Sequence, residues 1–297
     1  MAVRARADAV PPQGLILIGI ASVQFGAAFA AKLFDQAGPA GVVLMRLGFS
    51  AVALLAITRP SLARRSRREL LIATAFGLAL ASMNWTFYEA LRLLPLGPAV
   101  TIEFAGPLAV AILGSRRPLD LVWAALAGGG VVLLAFDGSA QALNPRGVLL
   151  ALLAGGFWAG YILLSKRVGS TFAGLQGLAI ALSVGAVALI PAGLVQGGDA
   201  LLRPQVLGGG LLVALLSSLI PYSLELTALR RIRAATFGLL MSLEPAFAAL
   251  AGVLVLGERL QLRTGAALLM VITASAGTTL GDNRTGSPDP NDPPPLG

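Results

Sequence analysis

Charged residues are scarce in this sequence. Only 12% of the 297 residues are charged and 56% are hydrophobic, whereas a soluble domain carries about 25% charged residues. So few charged side chains cannot cover a surface that faces water on all sides. This composition excludes a soluble globular protein and indicates a chain that crosses a membrane several times.

Cysteine and histidine are absent. The missing cysteines exclude disulfides and thiolate chemistry, and the missing histidines exclude the metal and catalytic sites that depend on imidazole. We therefore expect no metal and no cofactor. An enzyme built from this chain would have to work with Glu, Asp, Ser or Lys alone.

Aromatic residues make up only 6% of the chain. Ten-residue segments that alternate polar and apolar residues are also missing, and together these features exclude an outer-membrane barrel. At about 20 apolar residues per crossing, the chain has room for about ten helices. The expected fold is all-α and polytopic, with spans predicted at residues 14–31, 39–58, 70–91, 97–115, 119–136, 147–165, 171–195, 206–228, 234–256 and 262–280.

One stretch occurs twice. The sequence ALRLLPLGPAVTIEFAGP (90–107) returns, shifted by 138 residues, as ALRRIRAATFGLLMSLEP (228–245). Each copy carries a glutamate and a proline inside an apolar helix, where both residues are costly. Helices broken at corresponding positions of two halves point to the central site of a transporter. We predict helix breaks at Gly106, Pro107 and Pro245.

Five spans in each half give the second half the opposite orientation in the membrane. The predicted domains are an N-terminal segment (1–13), a first five-helix repeat (14–137), a second, inverted repeat (146–281) and a disordered, Pro-rich tail (282–297). With the N-terminus in the cytoplasm, fifteen Lys and Arg residues fall on the inner side and six on the outer side. This asymmetry predicts that both termini are cytoplasmic. It also explains the net charge of +8 without nucleic acid as a partner.

Glu103 and Glu244 are predicted to lie about 9 to 15 Å inside their spans, at 1.5 Å per residue. A charged group at that depth costs at least about 2.5 kcal/mol, so it should face a cavity or a partner. We interpret both as candidates for binding substrate or a proton, with a protonated, structural glutamate as the alternative. Arg46 lies equally deep. It pairs with Glu103 or Glu244, or it binds a substrate carboxylate, and pairing is the expectation because arginine keeps its charge.

Further polar and amphipathic residues within the spans are candidates for the lining of a pathway. Some of them share a helix face at i, i+3 or i+4 spacing, and Tyr88 and Tyr222 are equally explained as anchors at the membrane interface. The glycines, 36 in all, are read as packing residues, for example the pair Gly156 and Gly160. The candidate lining residues are Gln24, Asn84, Trp85, Tyr88, Trp158, Tyr161 and Tyr222.

Two segments resemble a known family. NWTFYEALRLLPLGPAVTIEFAGPLAVAILGSRRPLDLVW (84–123) and IPYSLELTALRRIRAATFGLLMSLEPAFAALAGVLVLGERL (220–260) are similar to the threonine/homoserine exporter branch of the EamA family, in the drug/metabolite transporter superfamily. The resemblance covers about residues 14–281. It implies ten helices in two inverted repeats, a place in the bacterial inner membrane, and efflux of small metabolites driven by the proton gradient.

The sequence thus predicts a secondary transporter that exports a small amino acid or a related metabolite by alternating access. Its partners are the lipid bilayer, a small-molecule substrate and a proton. The alternatives are an EamA-type transporter of a drug, purine or sugar conjugate, and an intramembrane enzyme. The exact substrate, the coupling ion and the oligomeric state stay open at this point.

Overall fold

The structure is a computed structural model that describes residues 11–61, 65–113, 118–135, 143–229 and 240–284. Within these ranges the secondary structure is helical. Two π-helical turns occur in addition to the α-helices, at Leu215–Leu219 and at Gly252–Leu256. The helices are α1 (Pro12–Ala31), α2 (Phe34–Thr58), α3 (Arg67–Leu91), α4 (Leu96–Glu103), α5 (Ala105–Leu113), α6 (Pro118–Ala135), α7 (Pro145–Thr171), α8 (Gln176–Gly197), α9 (Pro204–Ala214), α10 (Ile220–Leu229), α11 (Glu244–Ala251) and α12 (Leu262–Arg284).

Six helical segments are long and apolar enough to cross a membrane: 12–31, 34–58, 67–91, 145–171, 176–202 and 204–222. Four shorter apolar segments lie at 96–110, 121–133, 244–256 and 262–277. The prediction of an all-helical protein with several spans is therefore confirmed. The N-terminal segment before residue 11, part of the Arg-rich loop, the start of the ninth predicted span and most of the tail lie outside the described residues.

Local sequence signals explain where several helices begin and bend. Ser66 and Glu69 form a reciprocal capping box at the start of α3, which satisfies two backbone N–H groups. The Asn144 side chain accepts hydrogen bonds from the first N–H groups of α7, and Pro145 follows at a position that needs no N–H. Inside α2, Gly38 has a φ of 63°. Glycine tolerates this positive φ, and the resulting kink separates a first turn at residues 34–37 from the part of α2 that begins at Pro39, where the span is predicted to begin.

The broken span of the first half lies between α4 and α5. The helix is interrupted at Phe104, between Glu103 and Ala105. Pro107 follows in the first turn of α5, and since proline has no N–H, it leaves the backbone carbonyl of Glu103 outside the usual helical hydrogen-bond pattern. In the second half, α11 begins at Glu244, and Pro245 releases the carbonyl of Met241 in the same way.

The helices pack in a regular scheme. α2 packs against α8, α4 against α11, and α6 against α12. In addition, α3 packs against α7 and α1 packs against α10. The main core lies between these pairs and consists of aliphatic and aromatic side chains from both halves of the chain.

Glycines allow some of these helices to approach closely, although not at the predicted pair. A Cβ at Gly156 or at Gly160 would meet nothing within 4 Å, so these two residues are not helix contacts within the described structure. The close contact lies one residue earlier. A Cβ at Gly106 on α5 would overlap the backbone of Gly155 on α7, and Gly77 on α3 approaches the backbone of α8 in the same manner.

One hydrogen bond joins the start of α4 to the segment before α12. The backbone N–H of Leu96 donates to Oε1 of Glu258 at 2.9 Å. Leu96 is the first residue of α4, so its N–H has no partner within the helix. The half-buried carboxylate of Glu258 takes the place of a capping side chain.

Candidate binding cavity

A cavity of about 520 Å³ lies among the helices of both halves. Eight of the predicted lining residues and one predicted helix-break residue surround it, together with apolar side chains and serines. The predicted residues that line it are Gln24, Arg46, Asn84, Glu103, Pro107, Trp158, Tyr161, Tyr222 and Glu244. Trp85, Tyr88, Gly106 and Pro245 do not line it.

Arg46 is buried, with 7% of its surface exposed. Its Nε donates to Oγ of Ser218 at 3.2 Å, its Nη1 donates to the hydroxyl of Tyr88 at 3.2 Å, and its Nη2 donates to the backbone carbonyl of Ser217 at 2.8 Å. The guanidinium also lies 5.8 Å from the centre of the Tyr88 ring, within the range of a cation–π contact. Four groups therefore hold the guanidinium in one orientation.

The sequence predicts that Arg46 pairs with Glu103 or Glu244. Among the described residues Arg46 forms no ion pair with Glu103, and its three hydrogen bonds go to hydroxyl and carbonyl oxygens. The two side chains nevertheless face the same cavity and interact electrostatically at longer range. Neutral acceptors from a segment about 170 residues away take the place of a carboxylate. Within the described structure, the positive charge of Arg46 therefore lies beside the cavity without direct contact to the carboxylate of Glu103 on α4.

Ser217 and Ser218 are functional candidates that the sequence interpretation missed. Both are buried, at 2% and 1% exposure, and both lie in the π-helical turn between α9 and α10. π-helical turns are rare and frequent at functional sites. The only signal in the sequence is a pair of adjacent serines in the apolar run LLSSLIP, and such serines are common in membrane helices as packing residues.

Glu103 and Glu244 enter the cavity from two helix ends. Glu103 is the last residue of α4 and Glu244 is the first residue of α11, and each is 7% exposed. Glu103 interacts electrostatically with both Glu244 and Arg46. Two acidic groups and one basic group therefore surround a single buried space, which suits a ligand that carries charges of both signs.

Aromatic side chains form much of the remaining wall. Trp158 on α7 contacts Phe104 edge to face, with ring centres 5.7 Å apart. Tyr161, one turn further along α7, stacks on Phe76 at 4.9 Å. The side-chain amide of Asn84 donates to the backbone carbonyl of Leu80 at 2.8 Å.

The four predicted residues outside the lining have other contacts. Tyr88 is fully buried and supports Arg46, so it contributes to the cavity through a neighbour. Trp85 donates from Nε1 to Glu89 at 3.1 Å. Gly106 provides the close approach of α5 to α7, and Pro245 lies in the first turn of α11.

Known proteins are similar to this one in sequence and in fold. The family model of the EamA-like transporter family matches residues 145–280. The threonine/homoserine exporter RhtA of Salmonella typhimurium (strain SL1344) is 42% identical over 267 residues, which is 90% of each chain. The protein of that name from Escherichia coli (strain K12) is 42% identical over 270 residues, which is 91% of each chain. A protein of known crystal structure has the same fold, with a TM-score of 0.60 and 18% identity over 92% of this chain and 99% of its own. Because the identity to the two exporters extends over nine-tenths of the chain, the protein belongs to the EamA-like transporter family and is a multi-pass membrane protein.

Proposed function

We propose that the protein is a secondary transporter of the inner membrane that exports threonine, homoserine or similar small amino acids by alternating access. The observation that carries this proposal is the cavity, in which Arg46, Glu103 and Glu244 surround one space of about 520 Å³. An amino acid carries a carboxylate and an ammonium group, and these charges match the arginine and the glutamates. The names of the two RhtA relatives point to the same solutes.

Counterflow in proteoliposomes tests the substrate. Vesicles that contain the purified protein are loaded with unlabelled threonine and diluted into labelled threonine, with protein-free vesicles as the control. We expect rapid transient uptake of label that excess homoserine abolishes and that excess adenine or glucuronide does not. Chemical analysis of the internal label checks that threonine is unchanged. Altered label would indicate an enzyme, and competition by the purine or the sugar conjugate alone would indicate another solute.

The proposal also assigns proton coupling to Glu103, to Glu244 or to both. Each carboxylate is nearly buried and faces the cavity, so it can bind a proton or a substrate ammonium as the cavity changes sides. The two groups interact, and two like charges in one site disfavour simultaneous ionisation. The acidic pair binds substrate when the cavity opens to the cytoplasm and a proton when it opens to the outside. Export of substrate is thereby coupled to entry of a proton.

Glutamine substitution tests the coupling. Glu103→Gln and Glu244→Gln keep the size of the side chain but cannot release a proton. We expect that at least one variant loses threonine accumulation driven by a pH gradient and retains threonine counterflow, which needs no net proton movement. Glu89→Gln is the matched control, because Glu89 bonds to Trp85 and Gln196 outside the cavity. If both cavity variants still accumulate threonine in response to the gradient, neither glutamate carries the proton.

For the architecture we propose ten spans in two inverted repeats, residues 14–137 and 146–281. The helix pairs support this arrangement. In this numbering α4 and α5 form the fourth span, α9 and α10 form the eighth, and α11 belongs to the ninth. The second, fourth and fifth spans then pack against the seventh, ninth and tenth spans, which are their counterparts in the second half. The third span (α3) packs against the sixth (α7), and in the same way the eighth span (α10) packs against the first (α1). A two-fold relation between the halves produces this scheme, and an odd number of spans per half makes the second half inverted.

The proposed topology places both termini and the Arg-rich loop 59–68 in the cytoplasm. The support is the excess of Lys and Arg in the segments that would then face inward. Reporter fusions within the loop 59–68 and after residue 284 test it. Active cytoplasmic reporters at both positions are expected, and a periplasmic signal from the loop would contradict the topology and the inverted repeat with it.

A further inference from the structure

The beginning of α4 is held to the second half of the chain by two contacts. The backbone N–H of Leu96 donates to Oε1 of Glu258 at 2.9 Å, and Glu258 lies in the segment between α11 and α12. At the next residue of α4, a Cβ on Gly97 would lie 3.1 Å from Cα of Ala249, so the backbones of α4 and α11 approach closely there. The start of α4 and the end of α11 are therefore in direct contact.

The same two helices carry the carboxylates of the cavity at their opposite ends. α4 runs from Leu96 to Glu103, about 10 Å at 1.5 Å per residue, and α11 begins at Glu244. Along α4 and α5 the residues that line the cavity lie between Val100 and Leu108, after the first turn. The helix pair is thus closed at one end and borders the cavity further along. In the proposed topology the closed end faces the outside, because the fourth span starts on the outer side.

Two glycines place the carboxylate of Glu258 at this end. Gly257 precedes it with a φ of 71°, which glycine adopts without strain, and the chain turns so that the N–H of Glu258 donates to the carbonyl of Gly252 at 3.1 Å. A Cβ at Gly252 would overlap Oε2 of Glu258. Gly252 itself has a helical φ of −58°, so its backbone does not require glycine. The space that the carboxylate occupies requires it.

A small polar cavity adjoins Glu258. It has a volume of about 100 Å³, and its other polar side chains are those of Arg259, Gln261 and Thr264. Arg259 is the charged neighbour, but Glu258 forms no ion pair within the described residues, and its Oε1 accepts from a backbone amide instead. Water in a polar cavity of this size can solvate the carboxylate and the amide when they separate. Breaking the bond therefore exchanges one hydrogen bond for others at modest cost, as a contact that opens and closes requires.

We propose that Glu258 is an outer latch: its hydrogen bond to the N–H of Leu96 holds the outer ends of α4 and α11 together and keeps the cavity closed to the outside. Release of this bond lets the two ends separate. Because Glu103 and Glu244 lie further along the same helices, the separation gives both carboxylates and a bound solute access to the outer medium. The assignment rests on the proposed alternating access and adds the contact that must break on the outer side.

Four substitutions distinguish the latch from a general effect on packing. Glu258→Ala removes the acceptor, whereas Glu258→Gln keeps one. Gly252→Ala leaves Glu258 in the chain but places a methyl group where Oε2 lies, so the carboxylate must move away from Leu96. Gly265→Ala is the matched control for this change, since a Cβ at Gly265 would meet nothing within 4 Å.

Thiol labelling from the outside measures the opening. The chain has no cysteine, so Val100→Cys introduces a single thiol on the cavity wall, one turn after Leu96. Spheroplasts that contain the protein are treated with a charged, membrane-impermeant methanethiosulfonate reagent. We expect Glu258→Ala and Gly252→Ala each to raise the labelling rate about tenfold, the value of one hydrogen bond to a charged group. Glu258→Gln and Gly265→Ala should stay within about twofold of the parent.

A second reporter tests for loosening of the whole protein. Val213→Cys introduces a thiol into the main core, where Val213 is fully buried and is not part of the cavity lining. Its labelling should be the same in every variant. The latch is overturned if Glu258→Ala and Gly252→Ala leave the labelling of Val100→Cys at the parent rate, if Glu258→Gln raises it as much as Glu258→Ala does, or if Val213→Cys gains reactivity in parallel.

Combining the two active substitutions sharpens the result. Gly252→Ala should add little to Glu258→Ala, because its effect acts through the carboxylate that Glu258→Ala removes, and additive effects would overturn the latch. The labelling needs no threonine, so it is independent of the substrate. Rates that do not respond to Glu258 overturn the latch and leave export intact, whereas absence of threonine and homoserine counterflow in the native protein overturns the proposed substrates and leaves the latch.

Discussion

Two groups of polar side chains lie among the helices, one around Arg46 in the cavity and one around Gln196, where α2 begins and α3 and α8 end. We call the second group, formed by Ala40, Trp85, Glu89 and Gln196, the end cluster. In the end cluster, Oε1 of Glu89 accepts from Trp85 and from Gln196 at 3.1 and 2.7 Å. Oε1 of Gln196 accepts from the backbone N–H of Ala40 at 2.8 Å. The polar groups of this cluster bond mainly to one another.

In the cavity group, by contrast, some hydrogen-bond donors and acceptors have no protein partner among the described residues. Ser217 has no partner for its hydroxyl within the described structure, and Arg46 uses three of its donors on protein groups. The comparison teaches that a group of polar side chains between helices does not by itself mark a binding site. Polar groups that satisfy one another hold helices together, whereas polar groups held in place with capacity to spare can bind a ligand.

The largest effect is expected for Arg46→Ala. The change removes three hydrogen bonds from a charged group, each worth about 1.5 to 3 kcal/mol, and it removes the positive charge from a cavity with two carboxylates. We expect complete loss of threonine counterflow and a clear drop in the thermal midpoint in detergent. Arg46→Lys, which keeps the charge but loses the planar fork, should recover most of the midpoint and little of the transport. Normal transport by Arg46→Ala would show that the cavity works without its cation.

The next effect concerns the cavity wall rather than its polar groups. In Gly106→Ala the new methyl group would overlap the backbone of Gly155, so α5 and α7 must separate at a cost of about 1 to 3 kcal/mol. This separation displaces Phe104 and Trp158 and should reduce transport. Gly156→Ala adds the same methyl group where nothing lies within 4 Å, and it should match the native protein. Equal thermal midpoints for the two variants would contradict the close contact.

A smaller effect is expected in the end cluster. Gln196→Leu removes the bonds to Ala40 and Glu89 without changing the cavity. We expect the free energy of unfolding to fall by about 1 kcal/mol, with little change in the affinity for threonine. Thermal unfolding and counterflow measured on the same preparation check this. Loss of threonine affinity without loss of stability would place the end cluster in the binding site.

The smallest effect is a pH dependence at Glu258. Burial raises the pKa of Glu258 above its usual value, although the hydrogen bond from the Leu96 N–H opposes the shift. A carboxyl group with a raised pKa in the folded protein favours folding below its unfolded pKa, and this contribution is lost as the pH rises through the folded value. Glu258→Gln keeps an acceptor for Leu96 and has no titration. The thermal midpoint of the native protein relative to this variant should therefore decrease as the pH rises above about 4.3. A constant difference would contradict it.

Composition and hydropathy were sufficient to predict a helical membrane protein, because the scarcity of charge leaves no other way to place the chain. They were also sufficient to place Glu103, Glu244 and Arg46 within apolar segments. The partners of Arg46 could not be predicted, since the serines that bond to it are about 170 residues away and only tertiary packing brings them together. The contact at Gly155 was missed for a related reason. The spacing of small residues does not reveal which side of α7 faces α5.

The length of α3 has a consequence for its orientation in the lipid. The helix contains 25 residues, and at 1.5 Å per residue it is about 37 Å long, more than the hydrocarbon thickness of about 30 Å. A helix that exceeds this thickness tilts away from the bilayer normal or thickens the bilayer beside it. We expect α3, and α7 which packs against it, to cross the membrane at a tilt.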